Sequence, residues 1–376
     1  MLPIAAVIAT LIWFGLLCLP WQPWRMRERF EAAAGASRAW ADLSDITVLI
    51  PARDEAQTLP RTLAALQAQG QGLQVVVIDD HSSDDTAEVA RHAGLANLQV
   101  IPADPLPDGW TGKLWALEQG LARASRARVV LLDADIELAA GTLAGLRERA
   151  IADDRQLVSL MAALRMDSLA ERLLMPAFIY FFKLLYPFAL SNAGSRWVAA
   201  AAGGCVLIDR AMLERIGGFA SLRDAVIDDC TLAARVRAAG GRTWVGVTHA
   251  AISLRGYDDL ASIHAMVARS AFTQLRYSVV LLLLCTLVMG LMFWAPPVAL
   301  LAGDDATRAI AALAVAAMIA SYLPTLIYYR QRWIWSLLMP VTATLYLLMT
   351  WSSAVRYWRG LRTAWRGRDY HRESSD

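Results

Sequence analysis

Hydrophobic positions fall into three regimes along the chain. Met1–Pro20 is an unbroken apolar run without a charged residue, just long enough for the roughly 20 residues a membrane helix needs. Three further runs, Ser278–Gly303, Ala309–Tyr329 and Trp333–Val355, are each long enough to span. Between Asp45 and about Thr248 the period shortens and alternates. Ile46–Ile50 predicts a β-strand halted by Pro51, Thr58–Gln69 a helix on the spacing of Leu59, Leu63 and Leu66, and Gln74–Ile78 a second strand ending at Asp79-Asp80. Thr86–Ala93 predicts a helix, Leu98–Ile101 a strand, Lys113–Ala124 a helix, and Val129–Leu132 a strand ending at Asp133. A short strand follows at Thr243–Val247, with His249 behind it. Strands that are apolar on both faces and alternate with helices predict a parallel sheet covered on both faces, with ligands beyond the C-terminal strand ends.

The expected division is an N-terminal anchor over 1–24, a catalytic domain over 45–277, a membrane region over 278–355 and a basic tail over 356–376. No positive charge precedes the first apolar run, whereas Arg25, Arg27 and Arg29 follow it, so an uncleaved anchor is expected rather than a signal peptide. The positive-inside rule then puts the N-terminus outside and the domain in the cytoplasm. The last runs create a conflict: three crossings would put a tail holding Arg356, Arg359, Arg362, Arg366, Arg368 and Arg372 outside. One segment is then re-entrant or interfacial. Pro340 marks the last as a candidate and Pro296-Pro297 the first, leaving two to three C-terminal membrane helices.

Composition agrees: 57% of the 376 residues are hydrophobic and the mean hydropathy is +0.39, too apolar for an ordinary soluble enzyme. Cys18, Cys205, Cys230 and Cys285 show neither a pairing pattern nor metal spacing, which fits a reducing compartment. The net charge of +2 says little, and no nucleic-acid partner is expected.

Candidate chemistry gathers after the predicted strands. Pro51-Ala52-Arg53-Asp54-Glu55 can wrap a nucleotide or simply cap a turn. In Asp79-Asp80-His81-Ser82-Ser83-Asp84-Asp85-Thr86 an early carboxylate can accept from a base N–H while later residues cap a helix. Asp133-Ala134-Asp135 offers two carboxylates to one Mg²⁺ or Mn²⁺ shared with substrate phosphates. Gly109-Trp110-Thr111-Gly112-Lys113 opens a helix where Lys113 can reach a diphosphate, or forms a lid with a solvated lysine. Gly203-Gly204-Cys205 precedes Ile227-Asp228-Asp229-Cys230, where an aspartate at a helix start is a cap or a general base. His249 reads as structural or as an extra metal ligand.

In order and spacing these motifs resemble the family 2 glycosyltransferases of the GT-A fold, over about residues 45–277. With the Gly109–Lys113 stretch and Trp365-Arg366-Gly367-Arg368-Asp369-Tyr370, the layout looks most like the hopanoid-associated bacterial members and, more distantly, the ceramide glucosyltransferases. The resemblance implies a Rossmann-like mixed sheet flanked by helices, and an inner-membrane, multi-pass protein with its catalytic domain in the cytoplasm. It implies that Pro51, Ala52, Arg53 and Glu55 line the nucleoside pocket, that Asp80 binds the base, uracil foremost, and that Asp133 and Asp135 hold the metal beside Ala134. Asp229 takes the place of the catalytic base in an inverting transfer, with Lys113 on the departing diphosphate. Two departures are visible. Asp228-Asp229 replaces the frequent Glu-Asp, and Arg269–Tyr277 lacks a clean Gln/Arg-x-x-Arg-Trp motif, which argues against a processive polysaccharide synthase. Arg269, Gln274 and Arg276 remain candidates for the diphosphate or the acceptor, as do Gly203, Gly204, Cys205, Asp228, Trp365 and Arg366. Leu169–Leu190 is apolar nearly all round and reads as a buried core helix or one lying on the bilayer. Either would bring Asp229 close to a lipid acceptor with a hydroxyl, such as a hopanoid, a sphingolipid-like lipid, a carotenoid or a polyprenyl phosphate.

Overall fold

The computed structural model describes residues 1–32, 41–223, 225–365 and 368–371. After α1 (Leu2–Cys18), nine strands form one mixed sheet: β1 (Arg29–Phe30), β2 (Ile46–Ala52), β3 (Gln74–Asp79), β4 (Leu98–Pro102), β5 (Arg128–Leu132), β6 (Ile136–Leu138), β7 (Leu157–Ala163), β8 (Cys205–Asp209) and β9 (Thr243–Ser253). The spatial order is β1-β9-β7-β8-β5-β2-β3-β4, with β6 paired to β9. β8 runs antiparallel to β5 and β7, and β6 antiparallel to β9; the other neighbours are parallel. Alternate residues enter opposite cores. Val48, Ile50, Val75, Val77 and Val130 pack on one face, and Leu49, Val76, Ile78, Val129 and Leu131 on the other. From β2 the chain moves outward through β3 and β4, then returns to β5 on the other side of β2. The crevice beyond β2 and β5 is therefore the switch point where an α/β sheet binds ligands.

Helices α2 (Leu59–Gln67), α3 (Thr86–Arg91), α4 (Gly112–Leu121), α5 (Thr142–Ala152), α6 (Leu169–Leu185), α7 (Phe188–Asn192), α8 (Arg210–Arg215), α9 (Asp228–Ala238), α10 (Leu260–Ala268) and α11 (Ala271–Gln274) belong to the same domain. Several expectations are corrected. Pro51 does not halt β2: pairing to β5 ends at Leu49, while the ladder to β3 continues through Pro51 and Ala52. β9 extends to Ser253, six residues beyond the expected strand, because its C-terminal half gains β6 as a partner. Strands β6, β7 and β8 were not expected; β7 and β8 are short apolar runs that take their state from pairing with each other and with β5 and β9.

Beyond α11 follow α12 (Val279–Ala302), α13 (Asp305–Tyr328), a 3-10 turn over Trp333–Leu338 and α14 (Met339–Trp358), then a β10 (Leu361–Trp365) and β11 (Arg368–His371) hairpin. Three helical segments, Val279–Ala302, Asp305–Tyr328 and Trp333–Trp358, are long and apolar enough to cross a membrane. Pro296 and Pro297 lie within a continuous α12. α1 has 17 residues and wedges between α12 and α13, with Trp13 Nε1 donating to Met292 O at 2.9 Å and Thr10 Oγ1 to Ile310 O at 3.2 Å. The end of α13 adjoins the domain, where Tyr328 OH donates to Glu31 Oε1 at 3.2 Å. The end of α14 adjoins it too: Tyr357 stacks on Tyr277 at 4.2 Å and Phe272 N donates to Ser353 Oγ at 3.0 Å. Trp294 bonds Thr344 and Trp351 bonds Thr286, so α14 runs antiparallel to α12 back toward the domain.

α6 is a wall rather than a bilayer-lying helix. Leu174, Met175 and Tyr180 pack into the bundle, a Ser168–Glu171 capping box starts it, and buried Lys183 pairs with Glu28 at 2.7 Å. It is apolar nearly all round because both its faces are covered.

Candidate active site

Two strand-end loops interlock at the switch point. Asp54 and His81 both adopt left-handed backbone, with φ of 53° and 56°, a conformation in which short polar residues are enriched. Asp54 Oδ1 accepts from Ser83 N at 2.7 Å, Glu55 N donates to Thr86 Oγ1 at 2.8 Å and Ala56 N to Asp84 Oδ2 at 3.1 Å. Ser82–Thr86 thus bind one loop to the other as well as leading into α3. Behind them Asp80 is only 1% exposed; Arg53 donates to its carbonyl oxygen at 2.7 Å and lies 3.6 Å from its carboxylate.

The acidic pair is set by three strands. Asp133 N donates to Gly204 O at 3.1 Å, bracing the end of β5 against the start of β8. Leu254 N donates to Asp135 O at 2.7 Å, and Ser253 Oγ reaches Asp135 Oδ2 at 3.4 Å from the end of β9. Burial and then the neighbouring Asp133 charge raise the Asp135 carboxyl above the ordinary aspartate value. Lys113, in the first turn of α4, places Nζ 2.8 Å from Asp133 Oδ1 and 3.7 Å from Asp228 Oδ2. Burial disfavours its charge, but Asp133, Asp228 and Asp229 outweigh that and hold the ammonium firmly protonated.

Asp229 stands opposite, in the first turn of α9. Its Oδ1 accepts from Cys230 N at 2.7 Å. A Cβ on Gly203 would lie 3.6 Å from Asp229 Oδ2 and 3.5 Å from Lys113 Nζ, so a glycine there keeps that space open. Burial, then the charge of Asp228, pushes the Asp229 carboxyl up to about 7. A helix cap on the surface would gain no such shift; a proton acceptor working near neutrality needs it.

These groups line one cleft of about 330 Å³. Pro51, Glu55, Lys113 and Asp133–Asp135 line it together with Gly203, Gly204, Asp228 and Asp229. Phe178, Phe182, Leu164 and Met266 add an apolar wall, with Arg269 among them. Other candidates sit elsewhere. Ala52, Arg53 and Asp80 back the loops without lining this cleft. Cys205 is wholly buried in β8, its thiol pushed up to about 12 by burial, so it cannot contact an acceptor. Gln274 accepts from Tyr186 OH at 2.5 Å, and Arg276 points to solvent. Trp365 falls in β10 and Arg366 lies outside the described residues. His249 is not beside the acidic pair: it stacks on Tyr328 at 4.3 Å and meets Glu31 at 3.2 Å. Arg255 and Tyr257, which line the cleft just after β9, were missed because that strand was ended too early; their position after a strand is the same signal that marked Asp133.

The acidic pair fits a hard divalent cation by its donor chemistry. Burial and the Asp133 charge raise the proton affinity of Asp135, and carboxylate oxygens are the ligands a hard dication takes. No group of three His, Cys, Asp or Glu ligands occurs among the described residues, so the pair suits a cation whose remaining ligands come from substrate phosphates and water.

Residues 47–217 match the glycosyl transferase family 2 model, a span that holds both interlocked loops, Lys113, the acidic pair and the glycines. The match covers 171 of the 376 residues and supports a glycosyltransferase. Among similar proteins, the 4,4'-diaponeurosporenoate glycosyltransferase of Staphylococcus haemolyticus is 38% identical over 111 residues, 30% of this chain and 29% of that protein. Its Staphylococcus aureus USA300 counterpart is 35% identical over 91 residues, 24% of each chain. The aligned part thus spans less than a third of these curated relatives. They are named for a carotenoid acid, whereas the sequence resemblance points to a hopanoid. The mannosyltransferase PcManGT of Pyrobaculum calidifontis, solved with GDP-Man and Mn²⁺, aligns over 95% of this chain and 98% of its own with a TM-score of 0.57 at 22% identity, a likeness of fold. The alignment takes in both the domain and the helices beyond it.

Proposed function

We propose that this protein is a membrane-anchored, inverting glycosyltransferase that moves a single sugar from a nucleoside-diphosphate sugar, a UDP-sugar foremost, to the hydroxyl of a membrane lipid. One observation carries the reading: a single cleft faces Lys113, Asp133 and Asp135 across to Asp229 and extends along the apolar wall of Phe178, Phe182 and Met266. Asp229 removes the hydroxyl proton as the acceptor oxygen bonds to the anomeric carbon, and the bond from that carbon to the diphosphate breaks. Lys113 offsets charge on the leaving nucleoside diphosphate. A Mg²⁺ or Mn²⁺ ion held by Asp133 and Asp135 would supply Lewis-acid neutralisation of that diphosphate. Pro51 and Glu55 position the nucleoside, with Arg53 and Asp80 behind them.

The acceptor is proposed to be a hydroxylated polycyclic or polyprenyl lipid, a hopanoid first by sequence resemblance. A carotenoid-type acid is the second reading, favoured by the names of the staphylococcal relatives. α1, α12 and α13 are read as crossing the bacterial inner membrane. Segment 333–358 is read as re-entrant, because both of its ends adjoin the domain. This places the basic tail on the cytoplasmic side, as its arginines favour.

Calorimetry on detergent-purified protein with Mn²⁺, comparing UDP, GDP, CMP and ADP, tests the donor site. Metal-dependent binding of UDP alone supports the reading, and binding of none sinks it in favour of a non-catalytic scaffold. Two predictions follow from the geometry. Turnover is expected to fall about tenfold per pH unit below 7 and to level off above, because Asp229 works ionised and its carboxyl is held at about 7; a flat profile from pH 5 to 8 would remove it as the titrating base. Phe182→Ala is expected to raise the lipid KM by roughly tenfold while UDP affinity stays unchanged, given about 1.5–3 kcal/mol for burying an aromatic contact. An unchanged lipid KM would move the acceptor away from this wall.

A further inference from the structure

We propose that Lys113 competes with the divalent cation for Asp133, so that cation and nucleotide sugar bind as a pair and the cation alone binds weakly. The inference rests on the reading of Asp133 and Asp135 as cation ligands. Lys113 Nζ lies 2.8 Å from Asp133 Oδ1. A hard dication sits at about 2.0–2.1 Å from a carboxylate oxygen when it is Mg²⁺, so both on one oxygen would stand within a few ångströms of each other. Like charges at that range repel strongly in a half-buried cleft. Cation entry therefore requires the ammonium to leave Asp133.

The structure provides somewhere for it to go. The lysine backbone is fixed in the first turn of α4, but its Nζ borders the space over Gly203 that Asp229 Oδ2 also borders, and Asp228 Oδ2 lies 3.7 Å away. A diphosphate arriving in the cleft offers phosphate oxygens to the displaced ammonium as well as ligands to the cation. Each partner then removes the cost of the other, and by linkage the cation must strengthen nucleotide binding by the same factor as the nucleotide strengthens cation binding. Without a nucleotide, Asp228 offers Lys113 a second carboxylate at 3.7 Å.

The test is a Mn²⁺ titration, followed by the electron paramagnetic resonance of free Mn²⁺, on full-length protein in detergent with and without UDP. Wild type is expected to bind Mn²⁺ weakly alone and tightly with UDP. Lys113→Met is expected to bind Mn²⁺ alone about tenfold or more tightly than wild type, and the enhancement by UDP should shrink by a similar factor. Lys113→Arg, which keeps the charge, should behave as wild type, and Asp135→Ala added to Lys113→Met should abolish the gained binding. Unchanged or weaker Mn²⁺ affinity in Lys113→Met overturns the competition while leaving the glycosyltransferase reading in place, provided wild type binds Mn²⁺ with UDP. No Mn²⁺ binding by wild type with UDP removes the cation reading itself, and the competition with it.

Discussion

Asp229→Asn is expected to bind donor as wild type does and to lose about 10²–10⁴-fold in turnover, the range a positioned general base contributes. Asparagine keeps the size of the side chain and an oxygen that can still accept from Cys230 N, a bond made at 2.7 Å in the native site. What it removes is the ability to take a proton. The native carboxyl is suited to that task because burial and the Asp228 charge hold it at about 7, so near neutrality a large fraction is ionised and still basic. A hydroxyl acceptor titrates far above neutrality and needs this help as its oxygen attacks. A carboxylic-acid acceptor is already ionised and needs almost none. The variant therefore also separates the two acceptor readings: full loss marks a hydroxyl acceptor, and turnover kept only with acids marks a carboxylate acceptor. Single-turnover assays with radiolabelled donor, alongside UDP calorimetry, provide the measurement. Turnover within about threefold of wild type on a hydroxyl lipid would remove Asp229 as the base; lost UDP affinity would show instead that Asp229 shapes the donor pocket.

Much of the site was legible because a parallel sheet brings its strand ends to one edge, so residues directly after apolar runs converge. That rule marked the positions of Asp133, Asp135 and Pro51, and the order and spacing of the motifs gave them roles by resemblance. Lys113 was placed beside a diphosphate, and its pairing with Asp133 and Asp228 required the register of α4 against β5, which no local pattern encodes. By position alone Asp229 favours a helix cap; its burial beside Asp228 is what supports the role of a proton acceptor. Arg255 and Tyr257 went unseen because β9 runs past Val247 by pairing with β1 at Thr248 and with β6 at Ala251–Ser253, a tertiary effect that propensity does not report. Cys205 was expected near the ligand because it follows Gly203-Gly204, but the chain enters β8 at that residue, so side chains point into the sheet core one position after the cleft. The membrane helices were read from length and charge. That the last of them ends beside the domain depended on Tyr357 meeting Tyr277, a contact 80 residues apart in sequence.

Asp135→Ala is expected to weaken metal-dependent UDP binding by more than about 100-fold, since loss of an outer-shell partner alone costs 10–100-fold in metal affinity. Asp133 is a poorer choice for this test. It already carries Lys113 at 2.8 Å, so its removal would also free the ammonium and confuse loss of a ligand with loss of an ion pair. Asp135 has a different environment: Ser253 Oγ at 3.4 Å, the charge of Arg255, and a carboxyl raised first by burial and then by Asp133. Alanine there relieves the repulsion within the pair, so the fold is expected to hold or gain slightly in thermal stability. Affinity and stability should then move in opposite directions, which a merely structural aspartate would not produce. Calorimetry with UDP at several Mn²⁺ concentrations, paired with thermal melts, reads both. UDP affinity and Mn²⁺ response both equal to wild type would sink the assignment of Asp135 to the cation. A lowered melting temperature with lost binding would place the Asp135 carboxylate in the scaffold that joins β5 to β9, through Ser253 Oγ on its Oδ2, and leave the diphosphate to Lys113 and the arginines of the cleft.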